Sequence, residues 1–346
     1  MTEAPSSEPR GGDPGGGDQG VGVVRVLAPA KINFALEVVG KRPDGYHELA
    51  TIFQTISFGD EIEVELAAAG RGIELEVGFE GFEGTGRSQD LTGPSASERD
   101  PVGSPPDLGP ADANLVVRAA DLLLRAAGRA NDRRVRLHLT KRIPVGAGLG
   151  GGSSDAAATL IALNHLLGSE GVSDHVLHEI AVTLGADVPF FLVGGTCLGT
   201  GIGDVLRPLP ACPDVSLVVV FPNVAVATSS VFGRLESGLT PPGPLARMSP
   251  LDIRPDFWDR DWTDFRNDLE PLVAVDGSVV AELLRTFRRL GSGFSRMSGS
   301  GSAVFGVAPD EGQAREWTGR FRAEGFWARA VRPTRAGCRL LESGAG

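Results

Sequence analysis

The sequence predicts a two-domain protein of mixed helix and strand, and three observations carry this. The chain is 346 residues long, more than a single hydrophobic core usually serves. Alternating apolar stretches that suit strands recur on both sides of helical ones. A connection with three prolines, at residues 208–213, separates the halves and reads as an interdomain link.

Composition bounds the function. A hydrophobic content of 41% is ample for a core. The net charge of −11 argues against a nucleic-acid partner, which calls for a basic surface. A local cradle can still take an anionic substrate. Cys197, Cys212 and Cys338 are odd in number, widely spaced and in no C-x-x-C pair, as expected of free thiols in a reducing compartment. No apolar run reaches the ~18 residues of a membrane span. The acidic, glycine-rich start lacks the apolar segment of a signal peptide. A soluble cytoplasmic protein without a membrane partner is expected. The sequence is silent on oligomeric state.

Residues 1–20 are Gly, Pro, Ser and charge, and are expected to be disordered. Strands are expected at 21–26 and 28–38. In the second, Ile32, Phe34, Leu36 and Val38 share one face, and Lys31 and Asn33 share the other. Pattern alone favours a solvated face for Lys31. Pro43-Asp44-Gly45 is a turn signature. It is followed by Tyr46, the only tyrosine, and His47. Such a pair can stack on and read a base or simply pack on its own hairpin. Pattern leaves both open. Strands at 51–56 and 61–66 precede a polar insertion at 80–113, expected to be exposed and mobile.

A helix at 114–128 and a strand at 135–139 follow. A helix at 173–184 stops at Gly185, and Asp187 then stands before the apolar run Phe190-Phe191-Leu192-Val193. A carboxylate beside buried apolar residues needs a partner or a task, although a plain helix-end aspartate is the commoner case. A glycine-rich hairpin spans 194–204. The second half has a strand at 215–221, a Pro-rich excursion at 238–264, helical segments from Asn267 and over 279–289, and a small-residue loop leading into a strand at 297–307. The expected layout is a first domain at 21–212, a second at 213–334 and a loose tail at 335–346.

One stretch organises all of this: Pro144-Val145-Gly146-Ala147-Gly148-Leu149-Gly150-Gly151-Gly152-Ser153-Ser154, followed by a strong helix pattern to Leu167. Glycines let a backbone turn tightly and bring its N–H groups close to a ligand. A helix start adds unpaired N–H groups and partial positive charge. Together they make an anion cradle, most naturally for phosphates. Gly146, Gly148 and Gly151 fit the dinucleotide pattern G-x-G-x-x-G, but the acidic residue at the right spacing, Glu170, sits in a turn. Gly152 stands where a Walker loop needs lysine, and no protein-kinase H-R-D or D-F-G element is present.

The loop resembles the central ATP loop of the GHMP kinases, a superfamily of small-molecule kinases. Pro29-Ala30-Lys31-Ile32-Asn33, Arg42-Pro43-Asp44-Gly45-Tyr46-His47, Gly185-Ala186-Asp187-Val188-Pro189-Phe190 and Ser298-Gly299-Ser300-Gly301 add to it. Their order and spacing resemble the branch that acts on 4-diphosphocytidyl-2-C-methyl-D-erythritol, from about residue 24 to 331. The resemblance implies an α+β fold, a ribosomal-protein-S5-like N-terminal domain followed by a ferredoxin-like C-terminal domain. It also implies transfer of the γ-phosphoryl group of ATP to the 2-hydroxyl of that substrate, in the non-mevalonate route to isopentenyl diphosphate.

By the same resemblance, Asp187 accepts the hydroxyl proton and Lys31 stands beside it as the catalytic lysine. Residues 144–154 hold ATP, and Asn33 and Thr228 contact the substrate. Tyr46 and Phe232 flank cytosine, and His47 reads its edge. Asn114 opens a helix bordering the adenine pocket. Magnesium comes with ATP, with Ser154 a candidate ligand. The chain departs from the family in its N-terminal extension, the 80–113 insertion and the 238–264 stretch, none of which interrupts a matched motif.

Two other readings compete. A related kinase for an alcohol such as mevalonate would leave Tyr46 and His47 with no base to read. A nucleotide-binding regulator that keeps the fold without the chemistry should have lost the acid or the lysine, and both are present.

Overall fold

The computed structural model describes residues 22–67, 69–81, 113–236, 256–259 and 261–341. The expectations for residues 1–20, for most of the 80–113 insertion and for 237–255 lie outside them. The two strands expected at 21–26 and 28–38 form one, β1 (Gly22–Lys41). The two after the turn merge likewise into β2 (His47–Ala67). The pair is antiparallel, with register shifts between Pro29 and Lys31, Asn33 and Ala35, and Val38 and Gly40. Pro29 cannot donate to the ladder. Opposite it, Gly59 approaches so closely that a Cβ would stand 2.3 Å from the Ala28 carbonyl oxygen. These shifts bend the ribbon and let one strand serve two cores.

The first domain continues with β3 (Gly72–Phe79), α1 (Leu115–Ala126), β4 (Arg134–Lys141), α2 (Gly151–Leu167), α3 (Asp174–Leu184), α4 (Val188–Val193), β5 (Thr196–Thr200) and β6 (Val205–Pro208). In its sheet β1 lies beside β2, β2 beside β4 and β4 beside β3, while β5 pairs with another part of β2 and with β6. The β3–β4 pair is parallel. The helices cover one face, where Val26, Ile62, Val64 and Leu137 meet Leu123, Leu160, Leu163 and Phe190. Three consecutive alanines, Ala156 to Ala158, are fully buried. Their small side chains allow α2 to sit deep in the domain.

The second domain holds β7 (Ser216–Phe221), α5 (Thr228–Glu236), α6 (Glu270–Val273), α7 (Val279–Arg289), β8 (Ser295–Met297), β9 (Val304–Ala308), α8 (Glu311–Ala323) and β10 (Trp327–Val331). Its antiparallel sheet has the order β10-β7-β9-β8. After Ser216, β7 is apolar because both faces are covered. Val218 and Val220 pack with Phe287 and Phe321 of α7 and α8. Leu217 and Val219 belong to the core that also holds Ile32, Phe34 and Ile52 of the first domain. Two short 3-10 turns, Phe257–Asp259 and Trp262–Asp264, wedge into that seam. Trp258 and Trp262 meet the Phe34 ring edge-on at 5.1 and 5.4 Å.

Two expectations need correction. The tail is not loose over 335–341. β11 (Arg339–Leu341) pairs antiparallel with β1 in the first-domain sheet, and the Cys338 N–H donates to the Phe191 carbonyl at 2.8 Å. A segment so short carries no periodicity to announce it. The solvated face favoured by pattern for Lys31 is also wrong. Lys31 and Asn33 are buried, as are Ile32 and Phe34, because β1 runs between two domains.

Candidate active site

The glycine loop turns through left-handed conformations at Gly146, Gly148 and Gly150, with φ of 68°, 78° and 72°. At Gly150 an added Cβ would meet Phe191 at 2.7 Å and the Lys31 stem at 3.0 Å. Only glycine fits there. The loop is tied down from both domains. The Lys31 N–H donates to the Leu149 carbonyl at 3.0 Å. From the second domain, the Ala303 N–H donates to the Ala147 carbonyl at 3.0 Å, and the Ser298 hydroxyl donates to the Gly148 carbonyl at 3.0 Å. The small-residue loop after β8 thus clasps the first loop. Gly150 caps α2 with no side-chain hydrogen bond, so the N–H groups of the first turn have no side-chain cap.

The loop opens onto a cavity of about 600 Å³ between the domains. Its walls include Lys31, Asn33, Asn114, Asp187, Thr228 and Phe232, with Pro144, Val145 and the loop residues through Ser153. Asn114 caps α1 by accepting from the Val116 N–H at 2.9 Å. Asp187 precedes α4, but its carboxylate makes no capping bond. It instead lies 3.5 Å from the Lys31 ammonium and keeps about a third of its side chain exposed (32%). Lys31 also donates to Asn33 Oδ1 at 2.7 Å. Asn33 Nδ2 donates to Thr51 Oγ1 at 2.7 Å, and that hydroxyl donates to the Ala35 carbonyl at 2.7 Å. Each donor in this chain has one acceptor, so the ammonium is fixed beside the carboxylate. An acceptor for a proton and a fixed positive charge face the same space as an anion cradle. That combination suits transfer of a phosphoryl group to an alcohol.

Other expected residues are placed less directly. Ser154 is fully buried, with its hydroxyl 3.7 Å from Cys338 Sγ. Of the two serines, Ser153 lines the cavity. Thr228 shares a hydrogen bond with Ser300 at 2.8 Å. The His47 ring stacks on Phe232, with centroids 4.9 Å apart and planes at 25°. Tyr46 is exposed (62%) and does not line the cavity. Glu170 is bound to Arg129 and Arg133 at the far end of α2, ~25 Å from the loop at 1.5 Å per residue.

Thr51 and the buried trio Asp60, Lys141 and Asp155 were not singled out as site residues from sequence. The one available signal was a polar side chain within an apolar or helical run. Glu270, at the start of α6, was also missed. It accepts from the Met297 N–H at 2.7 Å and so holds the strand that leads into the second loop. Burial pushes its carboxyl above the ordinary range, against the Met297 bond and the charges of Arg296 and Arg288. A carboxyl raised in the folded chain contributes stability that is present at low pH and lost as pH rises through the raised value. Glu270→Gln, which keeps an acceptor oxygen, should therefore gain on wild type as pH rises from about 4 to about 8. Urea midpoints at both ends check this, and a difference that does not change with pH would contradict it.

Comparisons with known proteins identify the family. The model of the GHMP kinases N terminal domain matches residues 114–195, and that of the GHMP kinases C terminal matches residues 256–325. A 4-diphosphocytidyl-2-C-methyl-D-erythritol kinase from Geobacter sp. (strain M21) is 39% identical over 313 residues, covering 89% of this chain and 98% of the relative. One from Pelotomaculum thermopropionicum is 40% identical over 300 residues, covering 87% and 94%. A crystal structure of 4-(cytidine 5'-diphospho)-2C-methyl-D-erythritol kinase superposes with a TM-score of 0.63 at 37% identity, covering 89% of this chain and 98% of that one. Mevalonate kinase from L. major, solved in complex with R-mevalonate, shares the fold at 15% identity, with a TM-score of 0.57 and coverage of 92% and 97%. With relatives this similar over nearly their whole length, the chain belongs to the 4-diphosphocytidyl-2-C-methyl-D-erythritol kinase family of GHMP kinases.

Proposed function

We propose that the chain transfers the γ-phosphoryl group of ATP to the 2-hydroxyl of 4-diphosphocytidyl-2-C-methyl-D-erythritol, as an enzyme of isoprenoid precursor synthesis. The observation that carries this is the Lys31–Asp187 pair at 3.5 Å, on the wall of the cavity into which the glycine loop opens. The loop and the first turn of α2 receive the ATP phosphates. Asp187 takes the proton of the attacking hydroxyl. Lys31, held by Asn33, places positive charge where the incoming oxygen and the phosphoryl group meet. Phosphoryl transfer asks for little else beyond positioning and charge stabilisation.

Magnesium enters with the nucleotide on this reading. Hard oxygen donors suit it, and Ser153 would supply one on the cavity wall. Ser154 does not fit, since its hydroxyl is turned to Cys338. When bound, the ion neutralises charge on the phosphates. The three cysteines are free thiols, which supports placing the reaction in the cytoplasm.

Cytosine recognition is assigned to the rim formed by His47 and Phe232, with the exposed Tyr46 closing over the base. Tyr46→Ala should raise KM for the cytidyl substrate about tenfold, the size of one lost base stack, and leave KM for ATP unchanged. Free cytidine nucleotides should compete with the substrate. Equal losses on both substrates would point to misfolding. Absence of competition would move the reading to a kinase for another alcohol.

A further inference from the structure

Three ionisable side chains that the proposed chemistry does not use lie beneath the glycine loop. Lys141, at the end of β4, Asp60 and Asp155 are all buried. The Lys141 ammonium donates to Asp60 and to Asp155 Oδ2 at 2.7 Å. Asp60 is anchored independently of Lys141, because its Oδ1 also accepts from the Ile143 N–H at 2.7 Å. Asp155 is not: its Oδ1 is buried with no hydrogen-bond partner. Its carboxyl is pushed well above the usual range, chiefly by burial and despite the Lys141 charge.

The place of this trio matters more than its presence. Lys141 ends the strand that leads into the loop, and Asp155 sits in the first turns of the helix that leads out of it. A Cβ on Gly151, the first residue of that helix, would stand 3.1 Å from Lys141 Nζ. Lys141 and Asp155 also line the cavity. The ammonium is thus wedged between the two ends of the loop, against the turn that offers N–H groups to phosphates. A buried ion pair is weak evidence for stability, since apolar replacements of similar volume are often neutral or better. A positioning role explains why charge is kept here.

We propose that Lys141 is a positioning residue for the ATP loop. By gripping Asp155 from the anchor of Asp60, it sets the angle at which the first turn of α2 meets the phosphates. Its charge also offsets two carboxylates that would otherwise lie under an anion. This rests on the loop being the ATP site.

The test separates fold from positioning by measuring thermal stability, ATP affinity by calorimetry, and KM for each substrate. Lys141→Met should lose stability, because it strands Asp155. Lys141→Met with Asp155→Leu should regain most of that loss, because Asp60 keeps the Arg142 and Ile143 N–H donors, yet still bind ATP about tenfold more weakly, the scale of one lost charge-assisted contact. KM for the cytidyl substrate should stay within about twofold of wild type. A double variant with restored stability and wild-type ATP affinity would overturn the proposal. Should the double variant fold poorly, Asp155→Asn decides. It keeps the shape, and it should weaken ATP binding severalfold with little change in melting temperature. Unchanged ATP affinity there would overturn the proposal equally. Wild-type protein that binds no ATP would instead bring down the functional reading itself.

Discussion

Asp187→Asn is expected to bind ATP as wild type does and to transfer almost no phosphoryl group. The carboxylate makes no cap bond to α4 and is a third exposed, so its loss should disturb stability by less than about 1 kcal/mol. Lys31 keeps its bond to Asn33, and the loop keeps its ties to Lys31, Ser298 and Ala303. What disappears is the only carboxylate paired with Lys31 among the described residues. Loss of a general base lowers turnover by about 10²–10⁴-fold. Steady-state turnover beside ATP calorimetry checks both halves. Near-normal turnover in a folded Asp187→Asn protein would remove Asp187 from the mechanism.

Gly148→Ala should be damaging for a different reason. The residue sits at φ 78°, where a side chain is strained by roughly 1–2 kcal/mol. Its Cβ would also stand 2.3 Å from the Ser298 carbonyl oxygen and 2.9 Å from that of Gly301. Both obstacles are backbone, so neither can swing aside. The two loops must part, which breaks the Ser298–Gly148 bond and overpacks the seam by about 1–3 kcal/mol. Turnover should be lost together with about 3 kcal/mol of stability. Gly152→Ala is the control. Its Cβ would meet only Leu115, at 3.9 Å, and alanine favours a helix, so its stability should match wild type or exceed it. Denaturant curves of both variants decide whether close approach or mere helix content governs this loop.

The two results bear on what the sequence could disclose. The glycine loop was legible because its requirement is local: a run of glycines ahead of a helix turns tightly and offers backbone N–H groups wherever the chain places it. Asp187 was visible only as a carboxylate out of place, and its position beside Lys31 comes from chain segments 156 residues apart. Lys31 itself was misread by periodicity. Alternation separates two faces of a strand but cannot say that a second domain covers one and a cavity the other. The bend that joins β1 and β2 into single long strands depends on Pro29 facing Gly59, a pairing absent from local pattern. Asp60 and Lys141 lie 81 positions apart, and β11 pairs with a strand more than 300 residues earlier. Such contacts follow from topology, which short-range chemistry does not encode. The resemblance supplied roles for Tyr46 and Phe232, but the ring that lies on Phe232 is His47.

The most direct measurement is ADP release from MgATP with 4-diphosphocytidyl-2-C-methyl-D-erythritol, beside mevalonate and homoserine. Turnover with the cytidyl substrate alone is the predicted result, and it would support the phosphoryl-transfer site and the His47–Phe232 rim together. Turnover with a control alcohol instead would keep the ATP site and discard the rim. No turnover with any of the three, in folded protein that binds ATP, would contradict the account and leave a nucleotide-binding regulator in its place.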